Sequence, residues 1–426
     1  MKNILVVDDS KFFCALIEKK ITESLDYQVI SVGTYASAEA LLDVLDIEQI
    51  DACLVDFRLP DAPEGEIVQL MAKKRIPTIV LISDITAEIR NYIWKFRIVD
   101  YVIKSDNYVT EYIIETLQRL QINPSIKIAL ADDSKTSLRI MSTLLSVHKY
   151  QTLQFNDPLK LLEHLKQHHD IKMVITDYDM EAMNGYDLTK SIRRLYSKQE
   201  LAIIGMSARD DVLMSANFLK FGADDFIIKQ SFLAEEFYLR VAVNTSRVIE
   251  YEKLTTAATK DYLTGLNNRR HFYELVEVMH NSAVRHSTPI ACALVDIDHF
   301  KQVNDTYGHQ VGDAVLTEIA KILESSVRKS DVVARFGGEE FCMYMVGINR
   351  ENSEIFFDKL LKRVENTAID IDGLEVKVTI SIGVNINHHH VLDSMIEIAD
   401  QCLYEAKETG RNKVVITPEE PKPAKE

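Results

Sequence analysis

Two glutamates beside a pair of glycines are the residues of this chain best suited to building a reaction centre. They lie in Arg335-Phe336-Gly337-Gly338-Glu339-Glu340-Phe341, between the apolar runs Val332-Val333-Ala334 and Phe341-Cys342-Met343-Tyr344-Met345-Val346. Two strand-like runs joined by Gly-Gly and a polar residue predict a β-hairpin whose tight turn takes positive φ. The glycines also clear side chains away, so that a ligand can approach the backbone. Carboxylates at such a turn suit a hard cation such as Mg²⁺ and, through it, phosphate. Alone, this hairpin would more often be a solvated turn. A second acidic element upstream changes that: the run Ala291-Cys292-Ala293-Leu294-Val295 ends in Asp296-Ile297-Asp298, with Lys301, Asn304, His309 and Asp313 beyond it, spaced by Gly308 and Gly312.

A different group of residues occurs twice. Apolar runs end in Asp8-Asp9, Asp56, Ser83 and Lys104, and about 125 residues later in Asp132-Asp133, Asp177, Ser207 and Lys229. These runs alternate with amphipathic helical stretches, the pattern of a doubly wound parallel sheet. Strand carboxyl ends in such a sheet converge on one edge. Three carboxylates, a hydroxyl and an amine there suit Mg²⁺-assisted phosphoryl transfer to an aspartate. The ion relieves repulsion among the acids, and the lysine neutralises the new phosphate. One acid at one strand end is commonly just solvated, but the joint pattern and its repetition mark a tandem duplication at domain scale.

The elements that must carry these groups divide the chain into 1–122, 123–245, a helical linker over 246–260, 261–417 and a charged, proline-rich tail over 418–426 expected to be disordered. Asn123-Pro124 marks the first boundary, because a residue before proline disfavours helix. From about Phe232 to Lys260 there is no proline or glycine. Phe237, Val241, Asn244, Val248, Tyr251, Thr255, Ala258 and Tyr262 follow steps of four and three, a heptad-like stripe. It fits a lever that pairs across a dimer, or an amphipathic helix packed on its own domain. His388-His389-His390 reads as a loop rather than a metal site. An apolar content of 46% supports packed cores, and a formal charge of −16 argues against nucleic-acid binding. Five scattered cysteines suit a reducing compartment. No run is long enough for membrane insertion, and the acidic start does not suit a secretion signal, so a cytoplasmic location is expected.

Residues 261 to 417 resemble the GGDEF family of diguanylate cyclases, with a Glu-Glu variant of the signature hairpin. The resemblance is anchored at Asp261-Tyr262-Leu263-Thr264-Gly265-Leu266-Asn267-Asn268-Arg269-Arg270, at the Asp296 run, at the hairpin, at Ser381-Ile382-Gly383-Val384, and at Ala399-Asp400 with Tyr404 to Asn412. It implies an α+β cyclase domain that joins two GTP into cyclic di-GMP with release of pyrophosphate, working as a homodimer because each site holds one GTP. It assigns Mg²⁺ to Asp296, Glu339 and the carbonyl of Ile297, with Glu340 beside them. Glu339 becomes the proton acceptor and Lys301 the group that stabilises developing charge. Asn304 and Asp313 would read guanine, His309 would help to hold the substrate, and Lys407 and Arg411, taken as one helical turn apart, would face the phosphates. Arg328 and Asp331 match the family's inhibitory product site.

Both duplicated segments resemble response-regulator receiver domains of flavodoxin-like fold. By that resemblance Asp56 and Asp177 are phosphoacceptors for an upstream histidine kinase or phosphotransfer protein. Asp9 and Asp133 are the principal Mg²⁺ ligands, assisted by Asp8 and Asp132. Ser83 with Lys104, and Ser207 with Lys229, complete each centre, and Tyr101 and Phe226 occupy the aromatic switch position. Both copies depart from the family in the residue after the lysine, Ser105 and Gln230 in place of proline. The expected whole is a phosphorylation-regulated diguanylate cyclase; the rival is a catalytically silent nucleotide sensor or scaffold acting through partner contacts.

Overall fold

The computed structural model describes residues 2–208, 212–230, 233–387 and 391–418. His388 to His390, Phe232 and all of the tail beyond Pro418 lie outside the described residues. Two compact units make up the chain, Met1–Glu252 and Lys253–Glu426.

The first unit contains two α/β halves. In the first half, β1 (Lys2–Val7), β2 (Tyr27–Val32), β3 (Ile50–Asp56), β4 (Thr78–Ile82) and β5 (Asp100–Ile103) alternate with α1 (Lys11–Ser24), α2 (Tyr35–Val44), α3 (Glu66–Lys74), α4 (Ala87–Trp94) and α5 (Val109–Ile122). The second repeats the plan with β6 (Lys127–Ala131), β7 (Gln151–Phe155), β8 (Ile171–Asp177), β9 (Ala202–Ser207) and β10 (Asp225–Ile228), and with α6 (Lys135–Val147), α7 (Pro158–Gln167), α8 (Gly185–Arg193), α9 (Val212–Lys220) and α10 (Ala234–Thr259). The strand orders are β2-β1-β3-β4-β5 and β10-β9-β8-β6-β7, the same topology, and every pairing is parallel. Helices cover both faces, so the inner strands read as continuous apolar runs; all of β3 is buried. Ser10, Thr34, Thr86 and Ser134 cap their helices by accepting a backbone N–H from the first turn.

Asn123 departs from expectation. It is helical (φ −53°, ψ −33°) and opens a short 3₁₀ turn, Asn123–Ser125, that follows α5 directly. The side-chain Nδ2 donates to His148 O, a tie that holds the helical geometry against the preference imposed by Pro124. The two halves meet through specific contacts. Arg90 and Trp94 Nε1 both donate to Glu235 at the start of α10, Lys149 Nζ lies 2.8 Å from Asp51 Oδ1, and the Tyr238 ring packs against Trp94 and His148.

Helix α10 has 26 residues and is about 39 Å long at 1.5 Å per residue. Its stripe divides in the middle: Phe237, Val241, Asn244 and Val248 are buried, whereas Tyr251, Thr255 and Ala258 are exposed. The first four positions are amphipathic packing on the second half. The change falls where the two compact units divide, at Glu252 and Lys253.

In the second unit β11 (Asn267–Asn268), α11 (Arg269–Arg285), β12 (Ile290–Ile297), α12 (Phe300–Tyr307), α13 (His309–Ser326), β13 (Val332–Gly337), β14 (Glu340–Val346), α14 (Arg350–Glu365), β15 (Ile369–Ile371), β16 (Leu374–Val376), β17 (Ile380–Asn385), α15 (Leu392–Glu408) and β18 (Val414–Ile416) follow in order. Six of these strands form one sheet, β11-β13-β14-β12-β17-β18, and β15 pairs only with β16. β12 is wholly buried and runs antiparallel to both neighbours. Gly383 lets α15 lie directly on β17, since a Cβ there would come within 2.1 Å of Leu403 N. That close contact carries Lys407, at the end of α15, over the end of β12. Among the described residues no helix is long and apolar enough to cross a membrane.

Candidate functional site

The end of β12 and the β13–β14 turn form one anionic corner. Asp296 is buried and pairs in register with Glu340, and Ile297 N faces Glu339 O at 3.4 Å. Lys407 Nζ reaches Asp296 Oδ2 at 2.7 Å. Burial pushes the Asp296 carboxyl up to about 6; Lys407 pulls it down, and the nearby Glu339 and Glu340 charges push it up. An all-oxygen donor set with mutual repulsion is one that a hard cation relieves. Asp298, the other acid of Asp-x-Asp, plays a different part. It accepts from Thr379 Oγ1 (2.7 Å), Ser381 Oγ (2.6 Å) and Asn412 N (3.0 Å), and so ties the strand end to β17 and the segment after α15.

The turn is not held by glycine φ values. Neither Gly337 nor Gly338 is among the positive-φ residues. The ladder shifts register between Arg335 and Gly337, and such a bulge supplies the local twist that a primed turn would otherwise need. A Cβ at Gly338 would meet nothing within 4 Å, so what glycine gives here is open space over the backbone. Arg335 sets the turn's position: its Nε and Nη2 donate to Gly338 O (3.1 and 2.8 Å), and its Nη1 donates to Asp261 Oδ1 (3.0 Å). Asp261 also accepts from Thr264 N and Oγ1. A cation two residues before Gly-Gly was the available signal for this clamp, which the sequence reading passed over.

After β12, α12 carries Lys301 and Asn304, and α13 begins with His309, with Asp313 one turn on. Lys301, His309 and Asp313 are exposed, and Asn304 is half-buried. Gly312 is what lets α13 pack against the Asn304 side chain, because a Cβ there would fall 1.9 Å from Asn304 Oδ1. Arg411 differs from expectation. Helix α15 ends at Glu408, and Arg411 lies beyond it in left-handed backbone (φ 59°), with its N–H returned to Ala406 O. It is therefore not one helical turn from Lys407; Gly410, also at positive φ, breaks the helix first. Arg328 and Asp331 sit at the turn between α13 and β13, with Arg328 N donating to Asp331 Oδ2. Both line a cavity of about 280 Å³ that also includes Phe356 and Lys359.

The two α/β halves bring together two near-identical centres. Oxygens of Asp8, Asp9 and Asp56 lie within 4.8 Å of one another, as do those of Asp132, Asp133 and Asp177. These are the three-carboxylate clusters found among the described residues. Lys104 Nζ is 2.6 Å from both Asp8 and Asp56, and Lys229 Nζ is 2.6 Å from Asp132 and 2.9 Å from Asp177. Burial raises the carboxyl pKa of Asp8 and Asp177. It pulls the two lysines down, but hydrogen bonds to their acid partners outweigh it and leave both amines raised. Closely spaced carboxylate oxygens, two buried and one exposed in each cluster, fit a Mg²⁺-like ion that is reached from solvent.

One expected equivalence fails. Asp177 pairs in register with Met206, so Ser207 is the next residue, buried at the end of β9. Asp56 pairs with Leu81, so the equivalent residue is Ile82, also buried. Ser83 is exposed, one residue past the strand, and does not occupy the Ser207 position. The aromatic positions agree: Tyr101 pairs with Val80, and Phe226 with Gly205.

Comparison with known proteins matches the second half of the first unit and the second unit. Residues 258–413 match the family model described as "Diguanylate cyclase, GGDEF domain", and residues 128–240 match "Response regulator receiver domain". Diguanylate cyclase A of Treponema denticola is 37% identical over 182 residues, 42% of this chain and 47% of that protein. Response regulator PleD of Caulobacter vibrioides is 28% identical over 300 residues, 68% of this chain and 65% of that protein. The chain thus spans less than two thirds of the length of these curated relatives. A solved structure of a putative two-component system response regulator/GGDEF domain protein aligns with a TM-score of 0.51 at 31% identity, covering 58% of this chain and 99% of that one. The chain carries a response-regulator receiver domain followed by a GGDEF domain.

Proposed function

We propose that the second unit is a diguanylate cyclase that makes cyclic di-GMP and pyrophosphate from two GTP, regulated by phosphorylation in a first unit built of two receiver domains. The observation that carries this reading is the corner in which buried Asp296 stands in register with Glu340, beside Glu339 on an open turn clamped by Arg335. Asp296, Glu339, Glu340 and the Ile297 carbonyl would hold Mg²⁺, which when bound neutralises triphosphate charge and favours ionisation of the attacking hydroxyl. Glu339 is suited to take the 3′-hydroxyl proton. Lys407, already paired with Asp296, and exposed Arg411 can turn to phosphate oxygens. Asn304 and Asp313 offer guanine an amide and a carboxylate. The carboxylate accepts from N1–H and the exocyclic amine, which adenine cannot match. Lys301 lies in the first turn of α12, near enough in sequence to Asp296 to stabilise charge that develops at the phosphate.

The 3′-hydroxyl of each nucleotide must attack the α-phosphorus of the other, so two protomers face each other as a homodimer. Arg328 and Asp331 line a ready cavity for a guanine edge of the product, which supports inhibition there. The first half shares the second's topology, acid cluster and lysine, which supports a receiver reading for it too. A histidine kinase or phosphotransfer protein would supply the phosphoryl group. Purified protein with GTP and Mg²⁺ is expected to yield cyclic di-GMP and pyrophosphate on nucleotide chromatography, with no turnover of ATP. Hydrolysis of GTP to GDP instead would contradict the reading.

A further inference from the structure

We propose that the two halves divide their labour: phosphorylation is relayed to the rest of the protein from Asp177, while the first half is a fixed adaptor that takes up a phosphoryl group on Asp56 without transmitting it. This rests on reading both halves as receivers.

The transfer itself is available to each centre. A carboxylate oxygen attacks the phosphorus of an acyl phosphate such as acetyl phosphate. The P–O bond to acetate breaks as the acyl phosphate of the aspartate forms, and no proton is needed. What differs is what the new group can pull on. A phosphoryl group brings three strong acceptor oxygens. A bound cation and the lysine take up part of that capacity in either half. In the second half Ser207 stands next, one position beyond the register partner of Asp177, and its carbonyl accepts from Lys229 N at 2.7 Å. Its hydroxyl can swing to a phosphoryl oxygen and draw the end of β9 with it. The same place in the first half is Ile82, whose carbonyl accepts from Lys104 N at 2.8 Å. Its side chain is buried in the core with Val80 and has no donor. A phosphoryl group on Asp56 has no handle on β4.

The residue two before each of these tells the same story. Gly205 leaves room under Phe226: a Cβ there would lie 2.7 Å from Phe218 ring atoms and 3.0 Å from Phe226. Phe226 accordingly packs inward, against Phe218 at 5.4 Å. Its room is tied to the strand that Ser207 would move. In the first half Val80 fills that space, and Tyr101 stays half-exposed, edge-on to Trp94 at 6.5 Å. Trp94 and Arg90 are in turn bound to Glu235 of α10. Burial and the Glu235 charge both raise the Tyr101 hydroxyl pKa, placing that ring among the groups of the joint. The aromatic that packs inward in one half is thus part of a joint in the other.

The test uses beryllofluoride with Mg²⁺ on the full chain, with three readouts: ¹⁹F NMR of bound fluoride, emission of Trp94, the only tryptophan, and GTP turnover. Two bound fluoride environments are expected, one lost in Asp56→Asn and the other in Asp177→Asn. Asp56→Asn should retain the full stimulation of turnover. Asp177→Asn should abolish it, and loading its remaining site should leave Trp94 emission unchanged. Ser207→Ala should keep its fluoride signal yet cut the stimulation about ten-fold, the loss expected for one charge-assisted hydrogen bond. Loss of stimulation in Asp56→Asn, a Trp94 shift on loading Asp56 alone, or bound fluoride with no stimulation in the unsubstituted chain would each overturn the division. Absence of bound fluoride at both aspartates would instead overturn the receiver reading itself.

Discussion

Mild acid should loosen the joint between the two α/β halves, and His148 should be the cause. Its ring lies 4.0 Å from that of Tyr238, its Nε2 is sealed from solvent without a hydrogen-bond partner, and its backbone carbonyl is held by Asn123. Burial, with the Arg119 charge nearby, pushes the imidazole pKa down to about 3. An unfolded histidine titrates near ~6.5, so below that pH the unfolded chain binds a proton that the folded chain refuses. The contribution of His148 is therefore intact above ~6.5 and falls by about 1.4 kcal/mol per pH unit below it, or about 2 kcal/mol at pH 5. Other ionisable groups face the same cavity, Asp100, Asp106, Arg119 and Glu235 among them, so the difference between proteins is what isolates this residue. Trp94 stacks on Tyr238 and reports the joint directly. Urea unfolding followed by Trp94 emission at pH 7 and pH 5 should show a loss in the native protein that is about 2 kcal/mol larger than in His148→Phe. Parallel pH dependence in the two proteins would refute the argument.

Three further outcomes follow from the second unit. Arg335→Ala removes both side-chain donors to Gly338 O and the cationic partner of Asp261, so turnover should fall about ten- to a hundred-fold while the circular dichroism spectrum is kept; Arg335→Lys should not restore it, because one ammonium cannot serve both ends. Gly312→Ala forces a Cβ to within 1.9 Å of Asn304 Oδ1 and should raise the KM for GTP with less effect on kcat, an outcome that steady-state kinetics checks. Arg328→Ala should leave turnover intact and relieve inhibition by added cyclic di-GMP; unaltered inhibition would show that the cavity beside Phe356 is not the product site.

The parts of this protein that could be read ahead of the structure were those carried by pattern. Buried parallel strands announce themselves as apolar runs, and their ends, with Asp8, Asp56 and Lys104 or with Asp132, Asp177 and Lys229, fall together because topology brings all carboxyl ends to one edge. The corner of Asp296, Glu339 and Glu340 was legible for a similar reason, a buried strand beside a hairpin. Register was harder. Val80-Leu81-Ile82-Ser83 offers a serine at the end of an apolar run, but a slip of one residue moves a side chain to the other face, and only the pairing of Asp56 with Leu81 exposes it. Local backbone was the other gap. The bulge at the hairpin and the helix stop at Gly410 each moved a residue away from the geometry that spacing alone suggests. Arg335 stayed hidden because its partners are a carbonyl and Asp261, 74 residues away in sequence.

The most direct test of the central reading is GTP turnover by Glu339→Gln beside the unsubstituted protein, with Mg²⁺ and beryllofluoride present. The substitution keeps the shape of the turn and removes one carboxylate from the anionic corner. The unsubstituted protein should release pyrophosphate and accumulate cyclic di-GMP, and Glu339→Gln should form no detectable product while unfolding at the same temperature. Equal rates of cyclic di-GMP formation by the two proteins would contradict the account.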